Sequence, residues 1–226
     1  MLGLAIHTSS PQLGLMLQSF AADAEESQEL KESQQTTEAI QRHQVKRHQV
    51  WDLGREVSSQ MHVHLMAFMQ PYSWQDLSFI AVARGPGGFT GTRMGVVVAR
   101  TLAQQLAIPL FGVSSLAALA ANAPSDSQDI AVRMPAKRAA VFGAVYRPDS
   151  SGDLKAVWVE QVVSEADWAK TVAGWQRPLI QVSTEMGAGI AESVTGVMLL
   201  ADARWRQGQR PEWTSVMPFY GQHPVQ

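Results

Sequence analysis

Ala83-Arg84-Gly85-Pro86-Gly87-Gly88-Phe89-Thr90-Gly91-Thr92-Arg93 lies between an apolar, β-rich run, Leu77 to Ala83, and a helical pattern from about Thr92 to Leu106. Four glycines in seven residues let the backbone take positive φ between the strand and the helix. With a further strand expected at Pro109 to Val113, this strand-loop-helix unit predicts an α/β layer, a sheet covered by helices. Such a turn can aim several N–H groups at one point beside a helix amino end, the arrangement that holds an anion. The other reading is structural: a tight crossover in which Phe89 fills the core. Generic nucleotide fingerprints do not match. No Lys-Ser or Lys-Thr follows the last glycine, and the spacing is not Gly-x-Gly-x-x-Gly.

Working outward, Leu2 to Ile6 and Gln12 to Phe20 predict a β-hairpin around the polar turn Thr8-Ser9-Ser10-Pro11. From Ala21 to about Arg47 the chain turns polar, and the spacing predicts an inserted, mobile loop whose basic end, Arg42 to His48, is solvated. Leu53, Val57, Met61, Leu65 and Phe68 recur at helical spacing and predict a helix from about Asp52 to Met69, stopped by Pro71. Ile130 to Met134, Ala140 to Tyr146 and Ala156 to Val163 predict a meander. Ser164 to Val172 predicts a helix capped by Ser164, Pro178 to Ser183 a strand, and Gly187 to Ala203 a last helix before an irregular tail from Arg210.

The 226 residues suit one or two closely packed lobes, and 46% hydrophobic with 17% charged residues is a folded, globular composition. A formal net charge of −2 argues against autonomous gripping of RNA phosphates. There is no cysteine, which excludes thiol nucleophiles and Cys-ligated zinc. Met1 to Ser10 lacks the basic start and long apolar core of a signal peptide, and no apolar run approaches the roughly 20 residues that span a bilayer. A cytoplasmic, membrane-free protein is expected.

Gly85-Pro86-Gly87-Gly88-Phe89-Thr90-Gly91-Thr92-Arg93-Met94-Gly95 resembles the Gly-Pro-Gly-Ser-Phe-Thr-Gly-x-Arg-x-Gly signature of the TsaB (YeaZ) family. The likeness continues through Ala99 to Ala103 and Ile108 to Leu116, and more weakly through Leu4 to Ser9, Ala140 to Phe142 and Pro218 to Tyr220. The resemblance implies an actin-like ATPase (ribonuclease H-like) α/β fold with two lobes, residues 1–111 and a reduced 112–226. It also implies a non-catalytic part in making threonylcarbamoyladenosine in tRNA, as partner of TsaD together with TsaE. Contact with tRNA would come only through the complex, and a homodimer is possible when the chain is alone. Two family carboxylates are replaced: His7 stands where the family carries Asp after the first strand, and Pro135-Ala136-Lys137 where it reads Asp-Ala-Arg. That weakens productive binding of ATP·Mg.

No catalytic residue, metal set or cofactor is expected. His43 and His48 lack preorganised geometry, while His62 and His64, two apart, point to different sides of a helix. Ser114-Ser115 has no Gly-x-Ser-x-Gly frame. Asp76, Asp126, Asp129, Asp149 and Asp153 sit near turns, where capping is the default. The glycine motif Arg84, Gly85, Pro86, Gly87, Gly88, Phe89, Thr90, Gly91 and Arg93 is the candidate site. The candidate partner surface is Val63 and Met66 on the first long helix, with Gly95, Ala99 and Ala103 on the second. That small-residue row would admit another helix while Met94, Val98 and Leu102 face the sheet. Alternatively the row packs within its own lobe. The rival functions are a stand-alone actin-like ATPase or small-molecule kinase, and a homodimeric interaction module.

Overall fold

The computed structural model describes residues 1–20, 45–125, 127–185 and 189–219. A five-stranded sheet runs β3-β2-β1-β4-β5, built from β1 (Leu2–His7), β2 (Gln12–Ser19), β3 (Lys46–Asp52), β4 (Leu77–Ala83) and β5 (Leu110–Val113). β1 pairs antiparallel with β2 and parallel with β4, and β4 pairs parallel with β5. Parallel neighbours need crossovers, which α2 (Phe89–Leu106) supplies between β4 and β5, while α1 (Val57–Met69) precedes β4.

Both faces of this sheet are covered, so β1 reads as a continuous apolar run and all six of its residues are buried. Leu4, Ile6, Leu13, Leu15, Ile80 and Val82 face α1 and α2. The alternate residues Ala5, Met16, Phe79, Ala81 and Ala83 face two further helices, α3 (Ser115–Ala121) and α5 (Val194–Arg206). Phe79 is fully buried and touches the rings of Phe20, Phe111 and Trp205 at 5.7, 5.5 and 5.2 Å. Burying one such side chain is worth about 1.5–3 kcal/mol.

A second, four-stranded sheet runs β8-β7-β6-β9, with β6 (Asp129–Pro135), β7 (Ala140–Pro148), β8 (Leu154–Ser164) and β9 (Leu179–Ser183). The meander is antiparallel as expected, and β9 joins β6 in parallel. One face packs on α3 and α5, and the other on Trp168 of α4 (Glu165–Ala173), whose first turn is capped by the Ser164 hydroxyl accepting the Asp167 N–H at 3.0 Å. The layers are therefore α1 and α2, sheet, α3 and α5, sheet, α4. α5 and the segment after it return to the first sheet: Leu110 N–H donates to the Pro211 carbonyl at 3.1 Å, and Val216 joins the core under α2.

Several expectations need correction. Lys46–Asp52 is a strand rather than the end of a loop, because pairing with β2 satisfies its backbone and Trp51 packs edge-on to Phe68 at 5.9 Å. The rest of the expected insert, residues 21–44, lies outside the described residues. α1 begins at Val57 after a short 3₁₀ turn, Gly54–Glu56, in which Gly54 has φ +55°. α3 was not foreseen; it is short and alanine-rich, with Ser114 as its cap accepting the N–H of Leu116 at 3.1 Å. No helix among the described residues is long and apolar enough to cross a membrane.

Candidate functional site

β1 and β4 lie side by side and parallel, so the turn after β1 and the glycine loop after β4 emerge at the same edge. His7, Thr8, Ser9 and Ser10 are all buried there. Gly88 N–H donates to the Ser9 carbonyl at 2.7 Å, and the Thr8 hydroxyl donates to the Gly91 carbonyl at 2.8 Å. A β-carbon on Gly87 would collide with the Ser9 carbonyl oxygen, one on Gly91 with the Thr8 carbonyl oxygen, and one on Gly95 with the Thr8 hydroxyl. Gly85 takes φ +101°, and its carbonyl accepts the Ser115 N–H at 2.8 Å. Arg84 is held at both backbone ends, its N–H donating to Val113 at 2.8 Å and its carbonyl accepting from Phe219 at 2.6 Å.

This geometry bears on both readings of the motif. The glycines permit backbone-to-backbone contact, and the carbonyls of Thr8 and Ser9 sit at the amino end of α2, where an anion would otherwise be attracted. Phe89 does not fill the core. It is 39% exposed, with the Arg93 guanidinium 4.5 Å from its ring centre.

His7 is fully buried, and desolvation lowers its pKa to about 3, so it is neutral at physiological pH. Its Nδ1 accepts the Ser9 N–H at 3.4 Å, while Nε2 has no partner among the described residues. A neutral, enclosed imidazole does not replace a carboxylate that gathers magnesium and phosphate, and the residues present do not fit ATP·Mg. No cluster of three potential metal ligands occurs among the described residues. His62 is exposed and His64 stacks on Trp51 at 4.8 Å.

Of the aspartates, Asp76 and Asp149 cap turns, accepting the N–H groups of Ser73 and Ser151 at 2.8 Å each. Asp153 accepts the Leu154 N–H and also pairs with Arg204 of α5 at 3.0 Å. Asp126 lies outside the described residues. Asp129 departs from the capping expectation: its buried carboxylate binds Arg147 at 2.8 and 2.9 Å, Trp175 Nε1 at 3.0 Å and Arg177 at 3.4 Å. The hydrogen bond from Arg147 is the main reason its pKa falls below the usual carboxylate range.

The helical surface also differs from expectation. Gly95, Ala99 and Ala103 are buried with Val96 against the first sheet, so this row is not open to a second chain, and Met94, Val98 and Leu102 are only partly buried. Large residues in the sheet-facing positions would hold α2 too far from the Thr8 turn. Val63 and Met66 on α1 are 51% and 62% exposed, and Val97 on α2, which the sequence reading passed over, is 54% exposed. Its signal was its place opposite the small-residue row at 100° per residue.

The TsaD family model, described as tRNA N6-adenosine threonylcarbamoyltransferase, matches residues 64–170. The tRNA threonylcarbamoyladenosine biosynthesis protein TsaB of Bacillus subtilis is 36% identical over 149 residues, covering 65% of this chain and 63% of that protein. Over these residues the chain is similar to the TsaB (YeaZ) family. The Escherichia coli TsaB protein is 31% identical over 117 residues, 46% of this chain and 51% of that one, so the matches span only about half to two thirds of the relatives' lengths. YeaZ from Pseudomonas aeruginosa superposes with a TM-score of 0.68 at 20% identity, covering 97% of this chain and 99% of that one, which shows a shared fold. The fold is the expected actin-like, ribonuclease H-like α/β one.

Proposed function

We propose that this chain is a non-catalytic scaffold subunit in the synthesis of N6-threonylcarbamoyladenosine at position 37 of tRNA. It binds TsaD, holds it with TsaE in an active arrangement in the cytoplasm, and meets tRNA only through that complex. The observation that carries the reading is the outer face of α1 and α2, where Val63, Met66 and Val97 are at least half exposed on two neighbouring helices. Exposed apolar side chains on adjacent helices suit a protein partner, and methionine adapts to one. The names of the relatives support the pathway, and the turn around His7 supports a role without chemistry, since its imidazole is neutral and the Thr8 and Ser9 carbonyls pack against the glycine loop.

The test is reconstitution. Purified TsaD, TsaE and tRNA, supplied with the threonylcarbamoyl donor, should make the modified nucleoside only when this chain is added. The chain alone should neither hydrolyse ATP nor form product. ATP turnover by the isolated chain that a point substitution at His7 or Ser9 abolishes would contradict the proposal.

A further inference from the structure

Asp129, the first residue of β6, holds two arginines at one end of the second sheet. Its carboxylate is fully buried, and Arg147 near the end of β7 donates Nε to one oxygen at 2.8 Å and an Nη to the other at 2.9 Å. That grip uses one edge of the guanidinium and leaves its other N–H groups outside it. Arg177 comes from the short stretch between α4 and β9, which is pinned on both sides of it. Trp175 Nε1 donates to the Asp129 carboxylate at 3.0 Å, and the Pro178 carbonyl accepts the Asp129 N–H at 3.0 Å. Arg177 Nε then lies 3.4 Å from the same carboxylate. Both guanidiniums are partly exposed, so each is fixed in place yet open to solvent.

A third cation stands beside them. Lys155 on β8 is directly opposite Arg147 on β7, so the two side chains share a face of the pleat with Cβ atoms about 4.5–5.5 Å apart. Like charges so placed repel, and the sheet gains nothing from the pair. Lys155 is exposed and takes part in no ion pair among the described residues. The carboxylates of the adjoining turn are engaged elsewhere: Asp149 accepts the N–H and hydroxyl of Ser151, and Asp153 grips Arg204. Arg147, Arg177 and Lys155 therefore share one counter-charge, Asp129, whose pKa the Arg147 hydrogen bond holds below the usual carboxylate range. Three positive charges against one negative leave a local excess of two, in a chain whose formal net charge is −2. Guanidinium forks recognise tetrahedral oxyanions through paired N–H groups, and a lysine adds a point charge.

We propose that Arg147, Arg177 and Lys155 form a binding site for a phosphate dianion, either free or as the terminal phosphate of a monoester. A phosphate monoester carries close to two negative charges at neutral pH, which matches the local excess, whereas a diester carries one. Asp129 is the positioning residue: buried and ionised, it sets both guanidiniums before the anion arrives. The site shares no residue with α1 or α2, so it stands or falls apart from the proposed TsaD face.

Isothermal titration calorimetry of the whole chain with inorganic phosphate, at constant ionic strength in chloride, tests the site. Wild type should bind phosphate saturably, ethyl phosphate should compete for it, and dimethyl phosphate at the same concentration should not. Arg177→Gln and Lys155→Gln should each weaken binding at least about threefold, and the double variant should lose saturable binding. Arg177→Lys keeps the charge without the fork and should stay weaker than wild type. Melting temperatures measured without phosphate check that the variants are folded. Should Arg177→Gln unfold, Lys155→Gln, at an exposed residue with no ion pair to lose, gives the same reading. The proposal is overturned by a wild type that takes up phosphate no better than chloride, by full phosphate affinity in both single variants, or by dimethyl phosphate competing as well as ethyl phosphate.

Discussion

The Ser9 carbonyl oxygen accepts the Gly88 N–H at 2.7 Å and lies where a β-carbon on Gly87 would have to go. Two loops far apart in sequence are thereby locked through backbone atoms. The glycine signature works first as a packing device that seats the turn after β1 on the amino end of α2.

Gly87→Ala should therefore destabilise the chain by about 2–3 kcal/mol, since the obstacle is a backbone carbonyl that cannot swing away. Gly54→Ala is the contrast. Nothing lies within 4 Å of its β-carbon position, and only the positive φ of 55° is strained, so about 1 kcal/mol is expected. Urea denaturation of both variants checks the difference.

His7 predicts a pH dependence. Its folded pKa of about 3 lies below the ordinary 6.5, so between those values the unfolded chain binds a proton that the native chain does not. Stability is then full above pH 6.5 and falls on acidification. This one group accounts for about 2 kcal/mol between pH 6.5 and pH 5. His7→Gln should be flatter over that window by the same amount, and parallel curves for the two proteins would refute the burial of a neutral imidazole.

Asp129→Asn removes the charge that Arg147 and Arg177 share on the second sheet. Because both arginines are partly exposed, at 40% and 51%, water compensates in part, and about 2 kcal/mol of destabilisation is expected at neutral pH. The lowered carboxylate pKa means this contribution holds above its ordinary value near 3.8 and fades below it. Wild type and variant should converge in strong acid.

The architecture was legible where one physical signal dominated. The glycine turn after Ala83, the helical stripe of α1 and the meander of the second sheet all appear near where periodicity and turn residues set them, although α2 begins at Phe89 rather than about Thr92. β3 was not legible, because Lys46, Arg47, His48 and Gln49 are polar residues whose strand conformation comes from pairing with β2 rather than from their own preference. The face of α2 was inverted for a related reason. Size and hydrophobicity favour Met94, Val98 and Leu102 as core, yet the buried face is Gly95, where Thr8 leaves no room for a β-carbon, with Ala99 and Ala103. Asp129 looked like a cap because its partners, Arg147, Trp175 and Arg177, are distant in sequence.

That inversion yields a paired test on the two helices. Ala99 is fully buried, so Ala99→Trp should lower stability by several kcal/mol and lose TsaD binding only through unfolding. Met66 and Val97 are exposed, so Met66→Glu and Val97→Glu should melt within about a degree or two of wild type, surface changes being near neutral.

The most direct measurement is the affinity of TsaD for wild type, Met66→Glu and Val97→Glu by isothermal titration calorimetry. Tight binding by wild type and at least about tenfold weaker binding by each folded variant is the expected result, corresponding to about 1.4 kcal/mol of lost interface energy. Wild-type affinity in both variants, or no binding of TsaD by the wild-type chain, would contradict the scaffold account.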